Sequence, residues 1–121
     1  MNTQKAVYNG LFSKKTELKT HKIELGIIDG VERGVNKIYG DIDRARATLS
    51  GASNEAESIS KNILLKVESA LETINKAEEM ANDLGVKIPK IAEQKKRLSK
   101  AEKNGKELLK AASAAGKFKV Y

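Results

Sequence analysis

The 121-residue chain has no cysteine, a single histidine (His21), one proline (Pro89) and a formal net charge of +7. Disulfides and thiolate metal sites are therefore excluded, no histidine pair exists to hold zinc, and no apolar run approaches the ~20 residues that cross a bilayer. Charged residues make up 32% of the chain, and the only aromatics are Tyr8, Phe12, Tyr39, Phe118 and Tyr121. This is the composition of long helices around a thin core.

The first predicted element is one long helix over 5–49, with a kink allowed in its middle. Val7, Leu11, Leu18, Leu25, Ile28, Val35, Ile38, Ile42 and Leu49 fall on a near-heptad stripe, broken by Lys14 and His21. Gly26, Gly30 and Gly34 lie four apart on one flank, where small residues allow close helix approach. Interior glycines weaken a helix by ~1 kcal/mol each, so two alternatives stand beside the continuous helix. One is a break near 26–29, with Asp29 and Glu32 opening a new capping box. The other is an extended stretch around Thr20–Leu25, where polar and apolar residues alternate.

Ser50-Gly51-Ala52-Ser53-Asn54 reads as a turn, and Asn54 with Glu57 loosely matches a capping box. A second helix over 54–84 follows from Ile59, Ile63, Val67, Ala70, Leu71, Ile74, Ala77, Ala81 and Leu84, spaced by threes and fours. Gly85 supplies its left-handed cap. Pro89 then suits the first position of a third helix over 89–115, carried by Ile91, Leu98, Ala101, Leu108, Ala112 and Ala115. Gln94 and Gly105 interrupt that stripe, Asn104-Gly105 is a point for fraying or bending, and Gly116 ends the helix. The short 85–88 link folds helices two and three into an antiparallel hairpin.

The expected fold is thus all-α: an elongated, coiled-coil-like three-helix up-down-up bundle in one domain, with a short extended tail over 116–121. At 1.5 Å per residue the helices would span roughly 68, 46 and 40 Å, so the start of the first helix overhangs the hairpin.

Charge is spread unevenly. Residues 1–49 carry a net +3, residues 50–86 a net −4 and residues 87–121 a net +8. The acidic second and basic third helices would complement each other, leaving the surplus for an outside partner.

Catalysis has little support. His21 sits alone on a helical stripe, no serine lies in a strand–turn–helix elbow, and Glu68, Glu72, Glu78 and Glu79 lack the facing Glu-x-x-His motifs of di-iron bundles. The glycine series lacks the Gly-Lys-Ser/Thr ending of a phosphate loop. No catalytic residue, metal, cofactor or small-molecule substrate is expected.

The expected function is therefore assembly or adaptor work through protein–protein contact, in a homo- or hetero-oligomer or as a small component of a larger assembly such as a virus particle. Its contact residues would be Val7, Tyr8, Leu11, Phe12 and Leu18 on the overhang, with Phe118, Val120 and Tyr121 on the tail. The tail could instead fold back near the 50–54 turn. The alternative is a nucleic-acid-binding or packaging helper that uses Lys95, Lys96, Arg97, Lys100, Lys103, Lys106 and Lys110 of the third helix. A lysine face of this kind is commonly just solvated, Arg97 is the only arginine in it, and no aromatic residue is interleaved with it in sequence. A membrane surface is not the expected partner, because the third helix has no Trp or Phe on its apolar face. The opening MNTQKAVYNG lacks the basic start and apolar stretch of a secretory signal. The expected location is therefore cytoplasmic or otherwise intracellular, or within a particle assembled there.

Overall fold

A computed structural model describes residues 14–119, the last five by backbone alone. Three helices form an all-α bundle: α1 over 14–49, α2 over Ser53–Asp83 and α3 over Pro89–Lys119. Helix α2 packs against both of its neighbours, and α1 against α3 closes the triangle. No strand occurs among the described residues.

Helix α1 is continuous through its glycines. Neither the break near 26–29 nor the extended stretch at Thr20–Leu25 is present. The irregularity is instead a π-helical turn, Glu24–Ile28, in which the Asp29 amide donates to the Glu24 carbonyl five residues back. That extra residue corrects the predicted stripe. Ile23 and Ile28, five apart, both reach the core, whereas Leu18 and Leu25 are rotated to solvent, 64% and 68% exposed. From Ile28 onward the heptad reading holds, with Val35, Ile38 and Ile42 buried. Asp29 and Glu32 cap nothing; both accept the Lys90 ammonium from α3, at 3.6 and 3.5 Å.

The link between α1 and α2 is a tight turn in which the Gly51 and Ala52 amides both donate to the Thr48 carbonyl. The capping box is absent: Ala52 is the N-cap, Asn54 is exposed and no side chain caps the helix. Ser53 is buried at the start of α2, which sets the helix one residue earlier than the Asn54 reading, and Glu57 pairs forward with Lys61 at 3.5 Å. The apolar stripe of α2 is otherwise placed as expected, with Ile59, Ile63, Val67, Ile74, Ala77 and Ala81 buried.

Gly85 closes α2 at φ 70°. The Val86 amide donates to the Ala81 carbonyl and the Gly85 amide to the Asn82 carbonyl, both at 3.0 Å. These are the paired bonds of a Schellman motif, which needs a residue that tolerates positive φ. Pro89 opens α3, where its missing N–H leaves nothing unsatisfied.

Gln94 and Gly105 do not interrupt the core face of α3; they lie on it. Gln94 is buried and its Oε1 accepts from Arg97. At Gly105 a β-carbon would stand 3.0 Å from Ile63 Cγ2 and 3.1 Å from Leu64 Cδ2, so this glycine lets α2 and α3 approach closely. By contrast, a β-carbon at Gly26, Gly30 or Gly34 would meet nothing within 4 Å, which removes the close-packing role expected of that series.

The backbone of α3 runs through Gly116 to Lys119, so residues 116–119 are helical and not an extended tail. Glycine weakens a helix without ending it unless it adopts a left-handed cap, and no proline follows. Phe118 lies in this helical backbone, while Val7, Tyr8, Leu11, Phe12, Val120 and Tyr121 lie outside the described residues.

Candidate functional site

Two surfaces carry chemistry. The first lies where α1 begins and α2 ends. Lys19, Lys22 and Ile23 face Met80, Asp83 and Leu84 across a cleft of about 290 Å³. Met80, on its rim, is 46% exposed. Leu18 and Leu25, four and three residues from Lys22 on α1, are both exposed. None of residues 14–22 is buried, and Lys90 near the start of α3 meets α1 at Asp29 and Glu32. A separate shallow groove of about 450 Å³ lies farther along α1, lined by Gly26, Gly30 and Gly34 with Ala70 and Thr73.

The second surface is built across α1 and α3. Tyr39 follows the core residue Ile38, which puts its ring on the flank of α1 that meets α3. Its hydroxyl donates to the Arg97 carbonyl at 2.8 Å, and the Arg97 guanidinium carbon sits 5.3 Å from the ring centroid, within cation–π range. The same guanidinium donates to Asn36 Oδ1 at 2.7 Å and to Gln94 Oε1 at 3.3 Å. All three partners are neutral, so Arg97 is held in place with its charge intact. Tyr39, Lys96, Arg97 and Lys100 line a surface groove of about 480 Å³.

The basic residues singled out in sequence therefore separate into two sets. Lys95 is bound to Glu78 of α2 at 2.6 Å, and Lys106 to Glu102 at 2.9 Å. No carboxylate among the described residues pairs with Lys96, Arg97, Lys100, Lys103 or Lys110. Tertiary structure also supplies what the stretch from Lys95 to Lys110 lacks in sequence, an aromatic ring among the cations. Tyr39 and Arg97 are 58 positions apart, and their approach could be read only by knowing which flank of α1 faces α3. Leu25 was likewise not identifiable as a surface residue, since it continues the apolar spacing of α1, and Met80, off the stripe read for α2, carries no signal of its own.

His21 is exposed. Among the described residues no group of three or more His, Asp or Glu side chains is placed to hold a metal ion, and no helix is long and apolar enough to cross a membrane. Comparison with protein-family models, with curated proteins and with solved structures finds no significant match.

Proposed function

We propose that the protein is a non-enzymatic assembly component that associates with further copies of itself through the end of the bundle where α1 begins and α2 ends. One observation carries this reading: of the four large apolar side chains exposed among the described residues, Met80 lines this cleft, and Leu18 and Leu25 lie within one helical turn of its α1 residues Lys19, Lys22 and Ile23. Clustered apolar exposure of this kind marks an interaction surface, whereas scattered single residues do not.

The rim favours a second copy over an unrelated partner. Lys19 and Lys22 stand on the α1 side and Asp83 on the α2 side. A twofold contact would set the lysines of one subunit against the aspartate of the other, as isologous packing requires. The experiment is the double substitution Leu18→Asp with Met80→Asp, read by circular dichroism and sedimentation. Helicity near wild type with loss of association supports the reading. Association unchanged by the substitutions contradicts it.

A second reading, nucleic-acid contact through α3, is favoured by the Tyr39 placement beside Lys96, Arg97 and Lys100. Binding would weaken steeply as salt rises, through counterion release. Changing Lys96, Lys100 and Lys103 to Glu would abolish it; binding that survives this reversal contradicts the reading.

A further inference from the structure

We infer that the groove formed by Tyr39, Lys96, Arg97 and Lys100 is an anchoring site for the phosphodiester backbone of a single-stranded nucleic acid. The inference rests on the second reading above and narrows it from a helix face to a site. Three features single out this stretch of α3 from its other lysines.

First, its cations are unspent. Lys95 and Lys106, on either side, are already paired with carboxylates, while Lys96, Arg97 and Lys100 are not. Glu93 lies one turn before Lys96 and Arg97 but closes on neither, and Asp43 on α1 pairs with Arg46 at 3.9 Å. Second, Arg97 is preorganised. Its contacts to Asn36, Gln94 and the Tyr39 ring fix the guanidinium while using only two of its five N–H donors. The remaining donors are left for the charge-assisted hydrogen bonding that suits a phosphate oxygen. Less side-chain entropy is lost on binding when the donor is already held.

Third, the row of free cations is too long for one phosphate. From Lys96 through Lys100 to Lys103 the axial span is roughly 10 Å at the rise of an α-helix, so a chain of phosphates fits and a lone anion leaves cations unused. The Tyr39 ring borders the groove with the Arg97 guanidinium over its face, and an arginine guanidinium is itself a surface on which a base stacks, a contact indifferent to sequence. With no base-reading pair in view, the recognition is of the backbone.

The test is fluorescence anisotropy of a labelled oligodeoxythymidine, titrated with the full chain at several salt concentrations. Two charge-matched double variants are compared, Lys96→Glu with Lys100→Glu inside the groove and Lys106→Glu with Lys110→Glu farther along the same helix. All four side chains are exposed, and circular dichroism confirms that each variant is folded. The groove variant should bind at least about tenfold more weakly at low salt, with the salt slope reduced by about 1.4, twice the ~0.7 per phosphate contact of single strands. The outer variant should change affinity by less than about threefold, since one of its lysines is already neutralised by Glu102. Equal weakening of both variants would overturn the site while leaving nucleic-acid contact through α3 intact. No binding by the wild-type chain would overturn both. Displacement by inorganic phosphate as effective, phosphate for phosphate, as by unlabelled oligonucleotide would overturn the chain-length argument.

Discussion

The glycines of this chain differ in what surrounds them, and substitution separates them. Gly30 and Gly34 face open space along the groove, so Gly34→Ala should raise Tm through a gain of up to ~1 kcal/mol in helix propensity. Gly105→Ala gains the same propensity but pushes a methyl group onto Ile63, which is fully buried and stiff about its β-branch. Overpacking costs about 1–3 kcal/mol, so Tm should fall; a rise on thermal melting would mean that the α2–α3 approach has slack.

Lys90 offers a second contrast at the same scale. Glu32 first, and Asp29 after it, favour the ammonium and hold its pKa above the ordinary lysine value. A pKa raised in the folded state means that the stabilisation is fully present below the unfolded value of 10.5 and is lost as pH rises through the higher folded value. Thermal melts of Lys90→Gln should therefore lie below wild type at neutral pH in low salt. The gap should close at pH values above the lysine range and also in high salt, where screening shortens. A gap that persists under both conditions would assign the effect to packing of the side-chain stem.

At the scale of the element, the π-turn is the feature that decides which face α1 presents. Glu24–Ile28 amounts to an α-helix carrying one extra residue. Deleting Gly26 would convert the five-residue step from Ile23 to Ile28 into a four-residue step, and both isoleucines would keep facing the core. That deletion should leave Tm at or above wild type. Deleting Gly34, in regular helix, would rotate everything before it by about 100° and carry Ile23, Ile28 and Val31 off the core. It should cost several kcal/mol or abolish folding, and similar Tm values for the two deletions would contradict the account of α1.

The same element marks the limit of what sequence reveals. Helices α2 and α3 were legible because their apolar spacing, Gly85 and Pro89 are local signals. The start of α1 was not, because a regular heptad count through Leu18 and Leu25 is blind to an inserted residue. Gln94 and Gly105 were misread for a related reason: a polar or a bare position in a stripe looks like an interruption until the opposing helix is known. The two surfaces were half legible. The lysines and Leu18 stood out in sequence, whereas Tyr39, Leu25 and Met80 acquire their positions only when α1 is set against its neighbours.

Across the whole molecule, a narrow aliphatic core is tied at its edges by ion pairs between helices. Ile38, Ile63, Ile74 and Leu98 are almost fully buried among alanines such as Ala45, Ala77 and Ala101. With so few large side chains, each counts: Ile74→Ala should cost about 2–5 kcal/mol in denaturant unfolding, and a loss below ~1 kcal/mol would indicate that the three helices pack less closely than described. The inter-helix pair Lys95–Glu78 at 2.6 Å joins partly exposed partners, and such pairs contribute little stability while fixing register; Lys66 at 2.7 Å reaches a largely buried Asp41. The acidic face of α2 neutralises only part of the charge on α3, and Lys96, Arg97 and Lys100 of the remainder lie beside Tyr39. Apolar exposure lies where α1 begins and α2 ends, around Leu18 and Met80, and the cleft there shares no lining residue with the groove of Tyr39 and Arg97.

Self-association through that apolar end is the central claim, and size-exclusion chromatography with light scattering across a concentration series tests it most directly. Absorbance at 260 and 280 nm would expose co-purified nucleic acid, because the chain has no Trp and only three Tyr. The account predicts a mass that is a multiple of 13.2 kDa, twice that value or more. A peak that stays at 13.2 kDa at the highest concentration would contradict it.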